Sequence, residues 1–336
     1  MSRGVTHKER EIAVIRRKSV DRPAKDAIHI ENGGKIMGTS DYEYEELLRL
    51  LDLDGRIVYV PRYLGERKPG RDEWDAPPGD DYGTSHRYPL ASANDVSDIK
   101  KYHPPDPGLY DFAGSAVQAR LHGAEYAVRG PYWKPLFCTL NSLFGMEECL
   151  VKMLTEPEVF HAALEMVYEH TYQFCENYLN AVNDNLDIFY LGDDLASQRG
   201  LLFDPALWRK YFKDKYKALF ELGKSRGKLI WFHSCGDITS ILPDLIDIGL
   251  DVWETVQLHT LPISPEKLKK EYGGDITFFG GINTQRLPFK TPDQVREEAA
   301  YCLKVLGGGG GYILGPDHHI KPDVSAENTL ALFGSV

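Results

Sequence analysis

Lys228-Leu229-Ile230-Trp231-Phe232-His233-Ser234-Cys235-Gly236-Asp237 passes directly from an apolar, β-like run into a polar stretch that bears a glycine. On extended backbone, side chains two residues apart project to the same side, so His233 and Cys235 point into one space where the strand ends. An imidazole and a thiol there offer the nitrogen and sulfur that zinc prefers. A buried histidine next to a buried free cysteine is the plain reading of the same pair. Spacing alone does not choose between the two.

The surroundings of this stretch repeat its plan. Leu186 to Leu191 is a short apolar run followed by Gly192-Asp193-Asp194. Asp251-Val252-Trp253 leads into Glu254-Thr255-Val256-Gln257, and Ile276 to Phe279 leads into Gly280-Gly281-Ile282-Asn283. Tyr312-Ile313-Leu314 leads into Gly315-Pro316-Asp317-His318-His319. Helical patterns separate these runs. Thr155-Glu156-Pro157-Glu158 reads as a capping box opening a long amphipathic helix, Asp204-Pro205 opens another, and Thr291-Pro292-Asp293-Gln294 opens a third that runs to Leu306.

Alternation of strand and helix implies a parallel sheet, and the polar residues fall just after the strands, where a parallel α/β barrel builds its active site. The fold expected is therefore α/β, a (β/α)8 TIM barrel. An open doubly wound sheet is the rival. Its phosphate-binding glycines should follow a strand and open a helix, whereas Gly307 to Gly311 precede the last strand and read as a helix end and link. Residues 1–336 are read as one domain, with 1–110 as an N-terminal helical and irregular extension and 111–336 as the barrel body. Proline and aromatic residues crowd the stretch from Arg62 to Gly108, with turns marked by Pro77-Pro78-Gly79-Asp80-Asp81 and His103-Pro104-Pro105-Asp106-Pro107.

Composition narrows the partners. With 336 residues, 42% hydrophobic and 26% charged, the chain can bury a large core. A net charge of -11 disfavours nucleic acid and anionic membranes and leaves a small-molecule substrate. No apolar stretch approaches the roughly 20 residues of a membrane span, and the opening residues read as charged helix rather than a signal peptide. The 5 cysteines, an odd and scattered set, do not form a disulfide framework. The cytoplasm is the expected compartment.

A set of residues distributed along the chain resembles the uroporphyrinogen decarboxylase superfamily. It comprises Gly192-Asp193-Asp194, Gln198-Arg199-Gly200, Asp204-Pro205, HSCGD at 233–237, Pro243, Gly249-Leu250-Asp251, Gly280-Gly281-Ile282 and GGGYILGPDHHIKPDV at 309–324. KEREIAVIRRKSVDRP at 8–23 and Asp72-Glu73-Trp74 extend the likeness over nearly the whole chain. The resemblance implies a (β/α)8 barrel and one of two chemistries, tetrapyrrole side-chain decarboxylation or zinc-dependent methyl transfer serving corrinoid or thiol acceptors. The decarboxylases carry an N-terminal Met-Arg-Gln-Ala-Gly-Arg pattern, which this chain lacks.

The methyltransferase branch uses His-x-Cys after one strand and a cysteine after the last, in a Pro-Gly-Cys-Gly-Ile-x-Pro setting. Here that setting reads Pro316-Asp317-His318-His319-Ile320-Lys321-Pro322, so His318 stands at the cysteine's place. The resemblance thus implies zinc held by His233, Cys235 and His318, an acceptable three-ligand set with an open position, and a corrinoid on a partner protein. Glu254 is expected as a fourth ligand or general acid. Asp193 and Asp194 are expected to orient His233, bind substrate or move a proton, with only one facing the site. Gln198, Arg199, Asn283 and His319 are the expected substrate contacts. A metal-independent decarboxylase of a tetrapyrrole or other acidic substrate is the alternative, and a non-catalytic ligand- or partner-binding relative comes third. Relatives continue through the last barrel helix, so a homodimer contact is one expected means of closing the barrel.

Overall fold

The computed structural model describes residues 4–77 and 88–335, so the turn read at Pro77 to Asp81 lies outside them from Pro78 onward. Eight strands form one sheet: β1 Ala24–Lys25, β2 Gly55–Ile57, β3 Ala127–Pro131, β4 Ile188–Gly192, β5 Leu229–His233, β6 Val252–Val256, β7 Thr277–Ile282 and β8 Tyr312–Pro316. From β2 to β8 each strand pairs in parallel with the next, and β1 pairs in parallel with β8. The remaining seam, between β1 and β2, is bridged by Asp54. Its N–H donates to the Lys25 carbonyl at 3.0 Å, and its carboxylate accepts the Lys25 N–H at 3.0 Å. The sheet is thus a nearly closed barrel with flanking helices, a (β/α)8 barrel.

Strand alternation sorts the core into two bodies. Ile188, Tyr190, Trp231, Val252, Phe279 and Ile313 fill the barrel interior. The residues between them, Phe189, Leu191, Ile230, Phe232, Trp253, Phe278 and Leu314, belong to the outer layer between sheet and helices. His233 and Glu254 continue the inward-facing series, 229-231-233 and 252-254. Parity alone therefore delivers both side chains to the barrel axis.

The helix His7–Ile15 closes the opposite end. Thr6 and Glu9 form its capping box, and Val14 and Ile15 enter the interior cluster. Arg10 on this helix pairs with Asp54 at 2.7 Å and with Asp21 at 2.7 Å. Within the interior, the fully buried Arg129 pairs with Asp26, lies 3.8 Å from Glu11 and sits 4.6 Å from the Trp231 ring centroid.

All five strands read after residue 186 are present, and the Pro157–Val182 and Pro292–Leu306 helices begin where expected. Two readings change. The segment 1–110 contributes β1 and β2, so two of the eight barrel strands lie within what reads as an extension. They are too short, at two and three residues, to show a period. Thr155 does not cap the Pro157 helix either. It ends the preceding helix, Met146–Thr155, where its hydroxyl donates to the Val151 carbonyl at 3.0 Å, and Glu156 takes the N-cap position. Among the described residues, no helix is long and apolar enough to cross a membrane.

Phe279 is fully buried in the interior, whereas Phe289 is 80% exposed. Phe279→Ala should cost about 3–5 kcal/mol in urea unfolding, and Phe289→Ala should stay within about 0.5 kcal/mol of wild type.

Candidate metal centre at the strand ends

His233, the last residue of β5, lies beside Glu254 of β6, with which it is in register. Its Nδ1 is 2.8 Å from Glu254 Oε1. The same carboxylate accepts the Trp231 indole N–H at 2.6 Å and the Tyr190 hydroxyl. Burial pushes the Glu254 carboxyl up, but the hydrogen bond and charge of His233, then the Arg129 charge, more than offset it and leave the group below its ordinary value. Burial likewise opposes the charge on His233, and Cys235 and Glu254 outweigh it, so that imidazole is shifted well upward.

A carboxylate at Nδ1 holds a proton on that nitrogen and turns Nε2 toward the barrel mouth. There Cys235 Sγ lies 3.5 Å from it. The turn that places Cys235 depends on Gly236, whose φ is +78°. A Cβ at Gly236 would come 2.3 Å from the Ser197 carbonyl oxygen, so a side chain has neither room nor a relaxed backbone there. The Gly236 N–H donates to Gln257 Oε1 at 2.8 Å, which fixes the turn.

His318 follows β8, and its ring centroid is 6.0 Å from that of His233. The neighbouring Asp317 anchors this loop by accepting the N–H and hydroxyl of Thr284 at 3.0 and 2.6 Å. Burial, then the charge of His233, lowers the His318 pKa. One donor atom from each of His233, Cys235 and His318 lies within 4.8 Å of the others. Tetrahedral zinc would place such donors roughly 3.3–3.6 Å apart, so the set fits with a small inward adjustment. The Glu254 bond to the far nitrogen of His233 is the outer partner that metal-bound histidines usually have.

The two aspartates part company. Asp193 continues the outward series of β4 and is fully buried beneath the helix Phe137–Phe144. Its carboxylate accepts the N–H groups of Leu136, Phe137 and Cys138 at 3.0, 2.7 and 2.9 Å, and the Tyr216 hydroxyl at 2.6 Å. It therefore anchors a helix start and does not join the His233 cluster. Asp194 does join it, accepting the Cys235 N–H at 3.0 Å and lying 3.7 Å from His233 Nε2, with its side chain 40% exposed.

The other expected residues divide in the same way. Gln198 and Arg199 sit exposed at the tip of the hairpin formed by 196–197 and 200–201. Asn283 spends its side-chain oxygen on the N–H groups of Gln285 and Arg286, a turn-forming role. Glu254 stands behind His233 rather than beside Cys235. His319 lies at the mouth, its ring 4.7 Å from that of His318 and its Nε2 3.4 Å from the Tyr132 hydroxyl. Burial, then His318, pushes its pKa down to about 4.

Sequence reasoning missed Tyr132 and Trp133. They follow β3 and bring their ring centroids to 6.2 and 5.7 Å from that of His233. Gly192 makes the space, since a Cβ there would meet the Trp133 ring at 2.9 Å. An aromatic pair after Ala127-Val128-Arg129-Gly130-Pro131 was the available signal, hidden because that strand holds a charge, a glycine and a proline.

Residues 80–336 match the family described as Uroporphyrinogen decarboxylase (URO-D). The chain belongs to that family. A curated relative, the uroporphyrinogen decarboxylase of Pseudoalteromonas translucida (strain TAC 125), is 25% identical over 272 residues, covering 76% of this chain and 71% of that protein. A solved structure, a methyltransferase from Methanosarcina mazei, superposes with a TM-score of 0.68 over 98% of each chain at 19% identity. At that identity the likeness establishes the fold.

Asp193→Ala would strand four donors and should lower stability by on the order of 3 kcal/mol, while Asp194→Ala should cost about 1 kcal/mol. Urea unfolding of both variants checks this, and equal losses would contradict the division between them.

Proposed function

We propose that this chain is a zinc-dependent methyltransferase that moves a methyl group between a small-molecule donor and a corrinoid or thiol acceptor. The observation that carries the reading is the convergence of His233, Cys235 and His318 above a Glu254 carboxylate bonded to His233 Nδ1. Membership of the family and the likeness to a protein described as a methyltransferase support it.

Bound zinc would supply Lewis acidity and lower the pKa of a coordinated thiol or water. His233 Nε2, Cys235 Sγ and His318 would hold it. One thiolate and two neutral imidazoles leave a divalent ion with one net positive charge, which favours polarising a substrate over donating electron density to it. Asp194, fixed by the Cys235 N–H, presents its carboxylate at the mouth and is placed to accept the proton of an acceptor thiol or to bind a donor group on the substrate. Tyr132, Trp133 and His319 line the approach. A corrinoid acceptor would arrive on a partner protein.

The second reading, metal-independent decarboxylation of a tetrapyrrole or other acid, is supported by the relative described as a uroporphyrinogen decarboxylase. The two readings differ in their need for metal. Elemental analysis of purified protein should find about one zinc per chain, lost in His233→Ala, Cys235→Ala and His318→Ala. Glu254→Gln should weaken zinc binding by about 10- to 100-fold. Methyl donors are then screened with thiol and corrinoid acceptors. Folded, zinc-free protein that decarboxylates an acidic substrate would overturn the methyltransferase reading.

A further inference from the structure

A polar cavity is lined in part by Trp133, whose ring also lies 5.7 Å from that of His233. Its volume is about 150 Å³, and Asp72, Glu73, Trp74, Trp133, Lys134 and His170 contribute to its lining. Lys134 is 7% exposed and His170 is 5% exposed. Neither serves the chemistry proposed above.

Both side chains hold hydrogen-bonding capacity that the described residues do not use. The Lys134 ammonium makes one contact of hydrogen-bond length, a long one of 3.4 Å to the Tyr110 hydroxyl. Otherwise it rests on aromatic faces, 4.1 Å from the Phe174 centroid and 4.6 Å from that of Tyr110. Glu73 is 4.0 Å away and is shared with Arg67 at 3.8 Å. Neither ring nitrogen of His170, on the helix Pro157–Val182, has a partner among the described residues. Asp72 Oδ1 is already occupied by the N–H groups of Trp74 and Ala76 at 2.8 and 2.9 Å.

Buried donors without acceptors are costly, and this cavity gathers a Lys134 ammonium held by one long hydrogen bond and one 4.0 Å ion pair with a His170 imidazole that has no partner among the described residues. A carboxylate brings two oxygens and about four lone-pair positions. We propose that the cavity is a carboxylate-binding site, in which the Lys134 ammonium and the His170 N–H take the two oxygens while Trp74 and Trp133 cover the carbon skeleton. The Trp133 ring lies 5.7 Å from the His233 ring, so an acid held here sits one indole away from the metal ligands. Burial pushes Lys134 down to about 8 and His170 down to about 3, the penalty that an anion between them would relieve. None of His233, Cys235 and His318 lines this cavity.

Isothermal titration calorimetry of the full chain with sodium acetate, at ionic strength held constant with chloride, tests it. Wild type should bind acetate saturably at one site, and Lys134→Met, which keeps the stem and removes the charge, should weaken that binding at least tenfold. His170→Phe should weaken it severalfold and decides the matter if circular dichroism shows Lys134→Met unfolded. Non-saturable binding in wild type, or affinity unchanged in the folded variants, would overturn the proposal. The source of the carboxylate is read by repeating the titration with 3-phenylpropionate in zinc-loaded and zinc-free protein. Tighter binding of the longer acid only with zinc marks a substrate arm reaching past Trp133, and zinc-independent binding of both acids marks a separate small-acid site. Either result supports the cavity.

Discussion

The Glu254 carboxylate is the constraint around which the barrel interior is arranged. It is fully buried, and an uncompensated charge there would cost several kcal/mol. Three donors meet it: the Trp231 indole, the Tyr190 hydroxyl and the His233 imidazole. Below them Arg129 lies over the Trp231 ring and pairs with Asp26, carrying the charge balance down toward the helix that closes the barrel. Three adjacent strands, β4 to β6, thus commit their inward-facing residues to one carboxylate. His233 cannot change its ring orientation without leaving that carboxylate short of a partner. The orientation that satisfies Glu254 also aims Nε2 at Cys235.

Strand geometry then decides which polar residues reach the mouth. On β4 the outward series runs 189-191-193, so Asp193 falls between barrel and helix and serves the N-terminus of Phe137–Phe144, where backbone N–H groups and the helix dipole favour an anion. Asp194, one residue on, lies beyond the strand and turns back toward His233. The contrast shows why neighbouring carboxylates in one motif carry different tasks. One is consumed by four donors in a dry setting, and the other keeps an oxygen near solvent. Trp133 borders both the His233, Cys235 and His318 cluster and the cavity that its neighbour Lys134 lines.

Much of the architecture was legible because it follows from local periodicity. The five strands after residue 186 each combine a short apolar run with a polar stop, and each is present. β1 and β2 escaped because two or three residues cannot display a period, and β3 escaped because Arg129, Gly130 and Pro131 break the apolar pattern. Thr155 misled because its sequence context suits a cap while its backbone still belongs to the preceding helix. In the site, His233 and Cys235 stood out through their spacing, but Tyr132, Trp133 and Lys134 carried no motif.

The sequence by itself determined the alternation of strands and helices, the parity that points His233 and Cys235 into one space, and the family resemblance of the strand-end motifs. Those are properties of neighbouring residues, fixed by backbone geometry within a few positions. Tertiary structure alone decided that His318 meets His233 and Cys235, that Glu254 stands behind the imidazole, that Gln198 and Arg199 remain on an exposed hairpin, and that Lys134 and His170 share a cavity. These relations join residues far apart in the chain. They exist only once closure of the sheet sets the distances across the barrel and burial makes each buried polar group find a partner or go without one.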